Sequence, residues 1–404
     1  MGGVRMEWKE VKIGDLGQII TGKTPKTAIK ENWGGKIPFL SPSDDMTNKT
    51  SPVTARTITE LGVAEVAKCL IPINSVCVSC IGSDLGKVVK TDRELVTNQQ
   101  INTIVPHSDI DSDFVYYLMC IVGKELNYIS KTSTAVPIIN KSTFSDWDVV
   151  IPEKVEDQRR IATILSSLDR KIELNNQINA DLEEMAQAIF KNWFVDFEPF
   201  KDGKFVESEL GMIPEGWKVG TLGDITKNKS TKVKERNDVK VLSPVTSGEL
   251  VLSEEYFTKQ VFSSSIAKYK IVNKGDFAYN PARVNIGSLG RNEFDFDGCV
   301  SPVYVVFSVL DGYENYFDLF RKTDFFKDSV TSLAIGGVRQ SLSYDDLSLI
   351  ETIIPSENIV EKFNNLYNQM KKTIKANKLE NSRLSHLRDT LLPKLMSGEI
   401  EVSE

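Results

Sequence analysis

The hydrophobic pattern of the chain changes twice from the alternation typical of strands to the three- and four-residue spacing typical of helices. The first change follows Ile151-Pro152 and the second follows Ile354-Pro355. After each change the apolar residues form a heptad-like seam. The two seams are Ile161, Leu165, Leu168, Ile172, Leu182, Met185 and Ile189, and then Phe363, Tyr367, Met370, Ile374, Leu384, Leu387 and Leu391. No Pro or Gly interrupts the first segment from 156 to 193, so it predicts a helix of roughly 55 Å.

Both seams carry asparagine at equivalent positions, Asn175 and Asn179 in the first and Asn377 and Asn381 in the second. A buried Asn lowers the stability of a helix pair but fixes its register and orientation. If the two helices pack antiparallel, Asn175 meets Asn381 and Asn179 meets Asn377. The alternative is that all four are polar residues facing solvent.

The segments before the two helices show mixed α and β patterns. Short β-branched runs separated by Gly, Pro, Asn and Asp turns predict strands at 37–40, 76–81, 101–105 and 303–307. Helical stretches are predicted at 113–123 and 313–323.

These two segments also resemble each other, as the parts of an internal repeat do. The matched pieces are WK and IGDL at 8–9 and 13–16 against WK and LGDI at 217–218 and 222–225, and IGS at 81–83 against IGS at 286–288. Their order is kept along the chain. The sequence therefore predicts an α+β protein in which two globular α/β domains are each followed by a long helix.

Length and composition fit a folded protein with two domains. The chain has 404 residues, more than one ordinary core accommodates, and 41% of them are hydrophobic and 26% charged. No apolar run approaches the ~20 residues of a membrane span, and the start lacks the apolar stretch of a signal peptide, so we expect a cytoplasmic protein. The five cysteines are expected to be reduced thiols.

The formal net charge of −7 argues against nucleic-acid binding, because Lys and Arg make the phosphate contacts. Local basic clusters weaken that objection. They are Lys23, Lys26 and Lys30, and then Lys227, Lys229, Lys232, Lys234 and Arg236. Since such clusters are more often solvated faces, charge alone leaves both interpretations open.

One segment matches a nucleotide-binding loop by its letters, and we reject the match. GQIITGKT at 17–24 fits the P-loop pattern, in which a helix begins at the Lys. Here Pro25 follows Thr24 at once. The segment is better explained as a turn that places Lys23, Thr24 and Lys26 near a nucleic-acid backbone.

Other patterns give no support to catalysis or metal binding by this chain. CVSC at 77–80 is expected to be strand, because no second Cys pair exists and the sequence has only 2 His. Neither a nucleophilic triad nor a metal-dependent nuclease centre has an obvious place. We therefore predict no catalytic residue and no metal site.

Four segments resemble the specificity subunits of type I restriction-modification enzymes, and the resemblance covers essentially the whole chain. They are EDQRRIA at 156–162, WFVDF at 193–197, LGMIPEGW at 210–217 and LRDTLLPKLMSGEI at 387–400. The resemblance implies two target-recognition domains, each reading one half of a split, asymmetric DNA site. It also implies that the two helices pack as an antiparallel coiled coil that acts as a ruler between them.

The resemblance further implies the partners of the chain. These are double-stranded DNA, two methyltransferase (M) subunits that modify adenine, and DNA-translocating restriction (R) subunits. The chemistry of S-adenosylmethionine, ATP and Mg would lie in those subunits, so this chain is expected to be non-catalytic and to hold no cofactor. The expected limits are 1–153 and 201–355 for the recognition domains, and 154–200 and 356–404 for the helices.

Base edges in the major groove are read chiefly by Arg at guanine and by Asn or Gln at adenine. In the first domain the candidate DNA contacts are Lys23, Thr24, Lys26, Asn98, Gln99, Gln100, Lys131, Thr132, Ser133 and Asn140. In the second they are Lys227, Lys229, Lys232, Arg283, Asn285, Arg291, Arg339 and Gln340. Each residue taken singly is more often a surface polar group than a base contact.

Two other functions fit parts of the sequence. One is a duplicated coiled-coil adaptor that binds only proteins, which the net charge and the seam asparagines equally permit. The other is the P-loop NTPase rejected above.

Arg339→Ala is expected to relax sequence specificity in one half-site by about 1 to 3 kcal/mol, because an Arg–guanine contact acts at a single base pair. The other half-site should be unaffected. Binding to duplexes with single substitutions in each half-site measures this. An equal loss at every position would identify Arg339 as a phosphate contact instead.

Overall fold

The computed structural model describes residues 6–50, 52–132, 138–257, 259–333 and 341–402. Its first half contains β1 (Trp8–Lys12), β2 (Gly17–Thr21), β3 (Trp33–Leu40), β4 (Arg56–Ile58), α1 (Glu60–Glu65), β5 (Leu70–Ile71), β6 (Val76–Ser79), β7 (Val88–Lys90), β8 (Leu95–Thr97), β9 (Ile101–Pro106), α2 (Ser112–Thr132), α3 (Lys141–Ser145), β10 (Asp148–Pro152) and α4 (Val155–Phe194).

The second half contains β11 (Phe205–Ser208), β12 (Gly211–Pro214), β13 (Lys218–Thr221), α5 (Leu222–Ile225), β14 (Thr226–Lys229), β15 (Lys240–Pro244), β16 (Leu250–Leu252), α6 (Ser253–Tyr256), β17 (Lys270–Val272), β18 (Phe277–Tyr279), β19 (Leu289–Arg291), β20 (Gly298–Val300), β21 (Val305–Val309), α7 (Glu314–Phe320), α8 (Asp324–Leu333), α9 (Tyr344–Ser348), β22 (Glu351–Ile354) and α10 (Glu357–Met396). The predicted α+β fold, with two sheet-bearing halves each followed by a long helix, is confirmed.

The repeat is visible in the order of the strands. A four-stranded sheet has the order β2-β9-β6-β7 in the first half and β14-β21-β18-β19 in the second. A second sheet has the order β4-β3-β8-β5 and, correspondingly, β16-β15-β20-β17. In each half one pair of the second sheet is parallel, β3 with β8 and β15 with β20. The two halves therefore share one topology although little of their sequence matches.

In both halves the aspartate of the repeated Gly-Asp pair accepts the same kind of backbone hydrogen bond. Asp15 accepts a hydrogen bond from the backbone N–H of Lys12 at 2.8 Å, and Asp224 accepts one from that of Thr221 at 2.7 Å. These bonds close the turn that follows β1 in the first half and β13 in the second. A Cβ on the glycine before Asp15 would lie 3.3 Å from the carbonyl oxygen of Ser145, so a larger residue would press α3 away.

Packing divides the chain into two compact units, which we describe separately. The first comprises Met1–Ile178 and Ala376–Glu404, and the second comprises Asn179–Lys375. Each unit thus holds one sheet-bearing half with part of α4 and part of α10. The four domain limits expected from the sequence stay predictions.

Each unit has an apolar core that includes both of its helix segments. In the first unit Phe114 of α2 lies in one buried cluster with Leu165 of α4 and Leu395 of α10. In the second unit Phe194 of α4 packs against Phe363 of α10, with ring centroids 5.1 Å apart. Removal of this apolar area from water holds the helices on the sheets.

Within the first unit, α4 and α10 contact each other in reversed order. The fully buried Asn175 donates to Asn381 Oδ1 at 2.8 Å and to Glu380 Oε2 at 2.7 Å. Further along, Arg388 donates to Asp169 Oδ1 at 2.7 Å. The two segments therefore run antiparallel, and the expected contact between Asn175 and Asn381 is present. Coiled-coil geometry and a role of the asparagines in setting register stay predictions.

The two helices depart from a strict heptad seam at Met185 and Leu387, which are 51% and 46% exposed. In the second unit the buried residues of α4 are instead Ala186, Phe190 and Phe194, spaced four apart. A straight α-helix has 3.6 residues per turn, so its buried face drifts relative to a repeat of 3.5. The heptad pattern placed these two seam residues wrongly for that reason.

A partly buried polar network connects β7 of the first unit to α2 and α4. Asp113 of α2 accepts hydrogen bonds from Lys90 and lies 2.8 Å from Lys49 Nζ. Lys49 Nζ also donates to Ser166 of α4 at 2.6 Å. Burial raises the pKa of Asp113, but the two lysines outweigh it, and the net pKa lies below the ordinary value. Asp113 is therefore a carboxylate at neutral pH.

Arg388→Met should destabilise the first unit by about 3 kcal/mol, because it leaves the buried Asp169 carboxylate without its cationic partner. The matched control is Arg383→Met, at an exposed position on the same helix. Urea-induced unfolding followed by circular dichroism measures both variants. Equal free energies of unfolding for the two would show that the Asp169–Arg388 pair contributes nothing.

Candidate nucleic-acid interface

Three loops of the first unit that carry predicted DNA contacts meet where strands of the sheet β2-β9-β6-β7 begin or end, on one side of the sheet. The backbone N–H of Cys80 donates to the carbonyl of Gln100 at 2.9 Å, and that of Ile139 donates to Cys80 at 3.0 Å. The N–H of Gly22 donates to Ile101 at 3.2 Å. The segments 22–26, 98–100 and 138–140 therefore form one continuous surface.

Gly22 sets the distance between two of these loops. A Cβ at this position would lie 2.2 Å from both the carbonyl oxygen and Oγ1 of Thr97, so only glycine fits. The close approach brings Thr24 to Gln99, and the Thr24 hydroxyl donates to Gln99 Oε1 at 2.8 Å. Lys23 and Lys26 lie exposed on the same loop. These four candidates are thus brought together by the fold.

The remaining amide side chains of this surface differ in how many of their hydrogen-bonding groups are already used within the protein. Asn98 and Gln100 bond each other, with Asn98 Nδ2 donating to Gln100 Oε1 at 3.2 Å. Asn140 caps α3, since its Oδ1 accepts the backbone N–H of Thr143 at 2.9 Å. The cap uses the side-chain oxygen and leaves the Asn140 amide nitrogen for a further contact.

The end of α2 holds the other candidates of this half. Lys131 is exposed in the last turn, and for Thr132 only the backbone is described. Lys131 lies beside the exposed Tyr128 and Lys124, which together line a shallow cleft with Lys87 and Gly123. Ser133 lies outside the described residues.

In the second unit, the corresponding surface centres on the loop between β18 and β19. Arg283 is exposed, and its backbone N–H donates to the carbonyl of Asn280 at 2.9 Å. Asn285 is half-buried in the same loop. Burial raises the pKa of Tyr304, while the charge of Arg283 and a hydrogen bond with Asn280 act in the opposite direction. Arg283, Asn280 and Tyr304 are therefore neighbours.

Two of the predicted cations of the second unit point inward. Lys229 Nζ donates to both carboxylate oxygens of the buried Asp276, at 2.8 and 2.9 Å. Arg291 donates to Asn315 Oδ1 at 2.9 Å. Both side chains thus have structural partners. Lys227 and Lys232 are exposed, and Arg339 and Gln340 lie outside the described residues.

Sequence reasoning missed two residues of this surface, Lys270 and Tyr304. Lys270 Nζ donates to the carbonyl oxygen of Tyr304 at 2.6 Å, and a backbone bridge joins Lys270 to Lys232. Neither residue belongs to a basic cluster in the sequence. The alignment of β20 and β21 with β8 and β9 locates Tyr304, which lies in the connection between them, whereas Lys270 belongs to β17.

The P-loop-like segment and the CVSC segment each form a strand and the start of the loop that follows it. The P-loop-like segment begins with strand β2, and Lys23 lies in the loop that follows. Cys77 is in strand β6, as predicted, and burial raises the pKa of its thiol to about 12. Among the described residues no three His, Cys, Asp or Glu side chains are placed to hold a metal ion. No helix in the same ranges is long and apolar enough to cross a membrane.

Comparison with known proteins gives consistent matches. Residues 6–184 match the family model described as "Type I restriction modification DNA specificity domain". The whole chain is 30% identical to the type I restriction enzyme MjaIX specificity subunit of Methanocaldococcus jannaschii, covering 96% of that protein. It is 24% identical to the HindI specificity subunit of Haemophilus influenzae, with 98% of this chain and 100% of the relative covered.

A solved structure shares the fold. The crystal structure of a type I restriction-modification system S subunit from M. genitalium superposes with a TM-score of 0.57, and the match covers 96% of each chain at 16% identity.

Gly22→Ala should separate the loop 22–26 from the loop 98–100 and lower the free energy of unfolding by about 1 to 3 kcal/mol, because the added Cβ has no room. Thr27→Ala, at an exposed position of the same loop, is the matched control. Hydrogen exchange at 97–101 together with urea unfolding measures the effect. Unchanged exchange in Gly22→Ala would contradict the close approach of the two loops.

Proposed function

Since this chain belongs to the specificity subunits of type I restriction-modification systems, we propose that its two sheet-bearing halves each read one half of a bipartite DNA site. Members of this family recognise DNA sequence and are not themselves enzymes, and the same holds for this chain. The proposal rests on one observation. The two halves share the same strand order, but the loops at the ends of their strands carry different side chains. A shared scaffold with different side chains at its edge is suited to reading two different sequences.

The chemistry of the two surfaces supports different half-sites. The first unit presents amide side chains, chiefly Gln99 and Asn140, which suit the donor and acceptor of adenine. The second presents Arg283 beside Tyr304, and Arg suits the acceptors of guanine. The half-sites are therefore proposed to be unequal, and the complete site to be asymmetric.

We propose that residues 1–153 and 201–355 are the target-recognition domains and that the helices 154–200 and 356–404 hold them apart. An antiparallel pair inverts one domain relative to the other, as a two-fold axis does in a symmetric dimer that binds two half-sites. The contacts of Asn175 with Asn381 support an antiparallel pair. The asparagines are proposed to set its register.

The partners are proposed from the family. Two methyltransferase subunits and restriction subunits would supply the reactions that use S-adenosylmethionine, ATP and Mg. This chain would supply the sequence preference that directs those reactions to one site.

The overall charge of −7 does not oppose this function, because phosphate contacts depend on local charge. Lys23 and Lys26 flank the first surface, and Lys232 and Lys270 flank the second.

The decisive experiment maps methylated adenines in DNA from cells that express this chain together with its methyltransferase subunit. We expect methylation at one bipartite motif with two different halves, and binding of the purified complex to that motif. A duplex with one half-site scrambled should bind more weakly than the intact duplex, and one with both scrambled should bind more weakly still.

A matched control uses the same methyltransferase without this chain, which should methylate no motif. Co-purification with the methyltransferase but no methylated motif and no sequence preference would instead identify a protein-binding adaptor.

A further inference from the structure

Two tight turns occupy the same place in the repeat. Residues 98–100 connect β8 to β9, and residues 301–304 connect β20 to β21. Both are closed by one backbone hydrogen bond, from Ile101 N–H to the carbonyl of Asn98 at 3.3 Å and from Tyr304 N–H to Ser301 at 3.0 Å. Each bond closes a turn of four residues, so the central residues of the turns correspond: Gln99-Gln100 in the first and Pro302-Val303 in the second, although the second connection is one residue longer.

We propose that these two turns are the equivalent base-reading elements of the two halves, and that Gln99 reads an adenine whereas Val303 contacts the methyl group of a thymine. The inference rests on the proposed function and deepens it, because it names the bases and the residues.

Gln99 is held in the orientation that reading an adenine requires. The adenine edge offers one acceptor, N7, and one donor, the N6 amino group, to a side-chain amide in the major groove. The Thr24 hydroxyl occupies one lone pair of Gln99 Oε1. The second lone pair and both N–H groups of the amide remain for the base. Thr24 is thus a positioning residue that orders an otherwise mobile side chain before DNA arrives.

Val303 presents an apolar side chain at the turn position that Gln100 occupies in the first half. Its side chain is 71% exposed, at the centre of a turn held by two neighbours of its own half. Lys270 Nζ donates to the carbonyl of Tyr304 at 2.6 Å, and the backbone N–H of Tyr304 donates to Ser301 at 3.0 Å. Of the four bases only thymine offers a methyl group in the major groove, and apolar side chains are its usual contact.

Cations lie beside both turns, as a DNA-facing surface requires. Lys23 precedes Thr24 in the loop bonded to the first turn, and Arg283 lies near Tyr304 of the second. Within the part of the chain that the structure describes, neither cation forms an ion pair with a carboxylate. The charge of Lys23 is available for a phosphate beside the base that Gln99 reads, and Arg283 lies beside the second turn for the guanine contact proposed above.

The test uses the chain in complex with its methyltransferase and selects binders from a library of randomised DNA duplexes. In Gln99→Ala the preference for adenine should fall about tenfold at one position of one half-site and stay unchanged elsewhere. Thr24→Val should weaken the same position by a smaller factor, and Thr24→Ser should restore it because it keeps the hydroxyl. Gln187→Ala, an exposed glutamine on α4, is the control.

The second arm replaces each thymine of the selected duplex by deoxyuridine, which lacks only the methyl group. The complex should bind one substituted duplex about fourfold more weakly, the effect of one buried methyl group. Val303→Ala should abolish that difference, whereas Val261→Ala, an exposed valine of the same unit, should not.

The possible failures are distinguishable. If the wild-type complex selects no bipartite sequence, the proposed function is overturned, and this inference with it. If it selects one but the Gln99 and Val303 variants leave its base preferences unchanged, only the inference is overturned. A uniform loss at all positions, or a lost preference at a base other than adenine or thymine, overturns the assignment of these residues as base readers.

Discussion

The first unit cannot complete its core until the end of the chain has returned to it. Leu392, Leu395 and Met396 of α10 are buried in the same cluster as Ile13 and Leu16 from the start of the chain. The closing turn at Gly398 lies against Trp8: with a φ of 75°, a Cβ there would sit 2.9 Å from the Trp8 indole nitrogen. Because apolar burial is the dominant stabilising contribution, this long-range contact holds the end of α10 against the start of the chain within the first unit.

Polar contacts then restrict how each sheet-bearing half sits on its helix segments. Lys90, the last residue of β7, donates to Asp113 of the helix that follows, and Arg291, the last residue of β19, donates to Asn315 in the same way. Asn315 in turn donates to Asn364 and Asn368 of α10 at 3.0 and 2.9 Å. Since an unpartnered buried polar group costs more than a well-made bond gains, these contacts penalise alternative orientations. Both halves thus have a polar contact between the end of a strand and the next helix, although different residues form it.

The sequence alone predicted the architecture. The helix spacing, the contact of Asn175 with Asn381 and most of the strand-turn alternation are local or periodic signals with a visible structural counterpart, but Val303, predicted as strand, lies in the turn before β21. Such local signals could not predict which lysine and arginine side chains form hydrogen bonds inside the protein. Lys229 and Arg291 belong to polar stretches, yet their partners, Asp276 and Asn315, are supplied by strand pairing and helix packing far along the chain. The drift of the buried face past Met185 likewise reflects the continuous geometry of a helix, which a heptad count does not contain.

Recognition and stability draw on different parts of the same scaffold. The bonds that join the loops of the first surface are mostly backbone to backbone, as between Ile139 and Cys80 or Gly22 and Ile101, and they do not depend on which side chain stands beside them. Side chains at the centre of a turn can therefore change from Gln99 to Pro302 with no change in turn length. The interior must keep its apolar volume and its polar partners through any such change. Loop side chains of a duplicated chain with these properties can therefore change in one half while the core of that half, with its helix segments, stays the same.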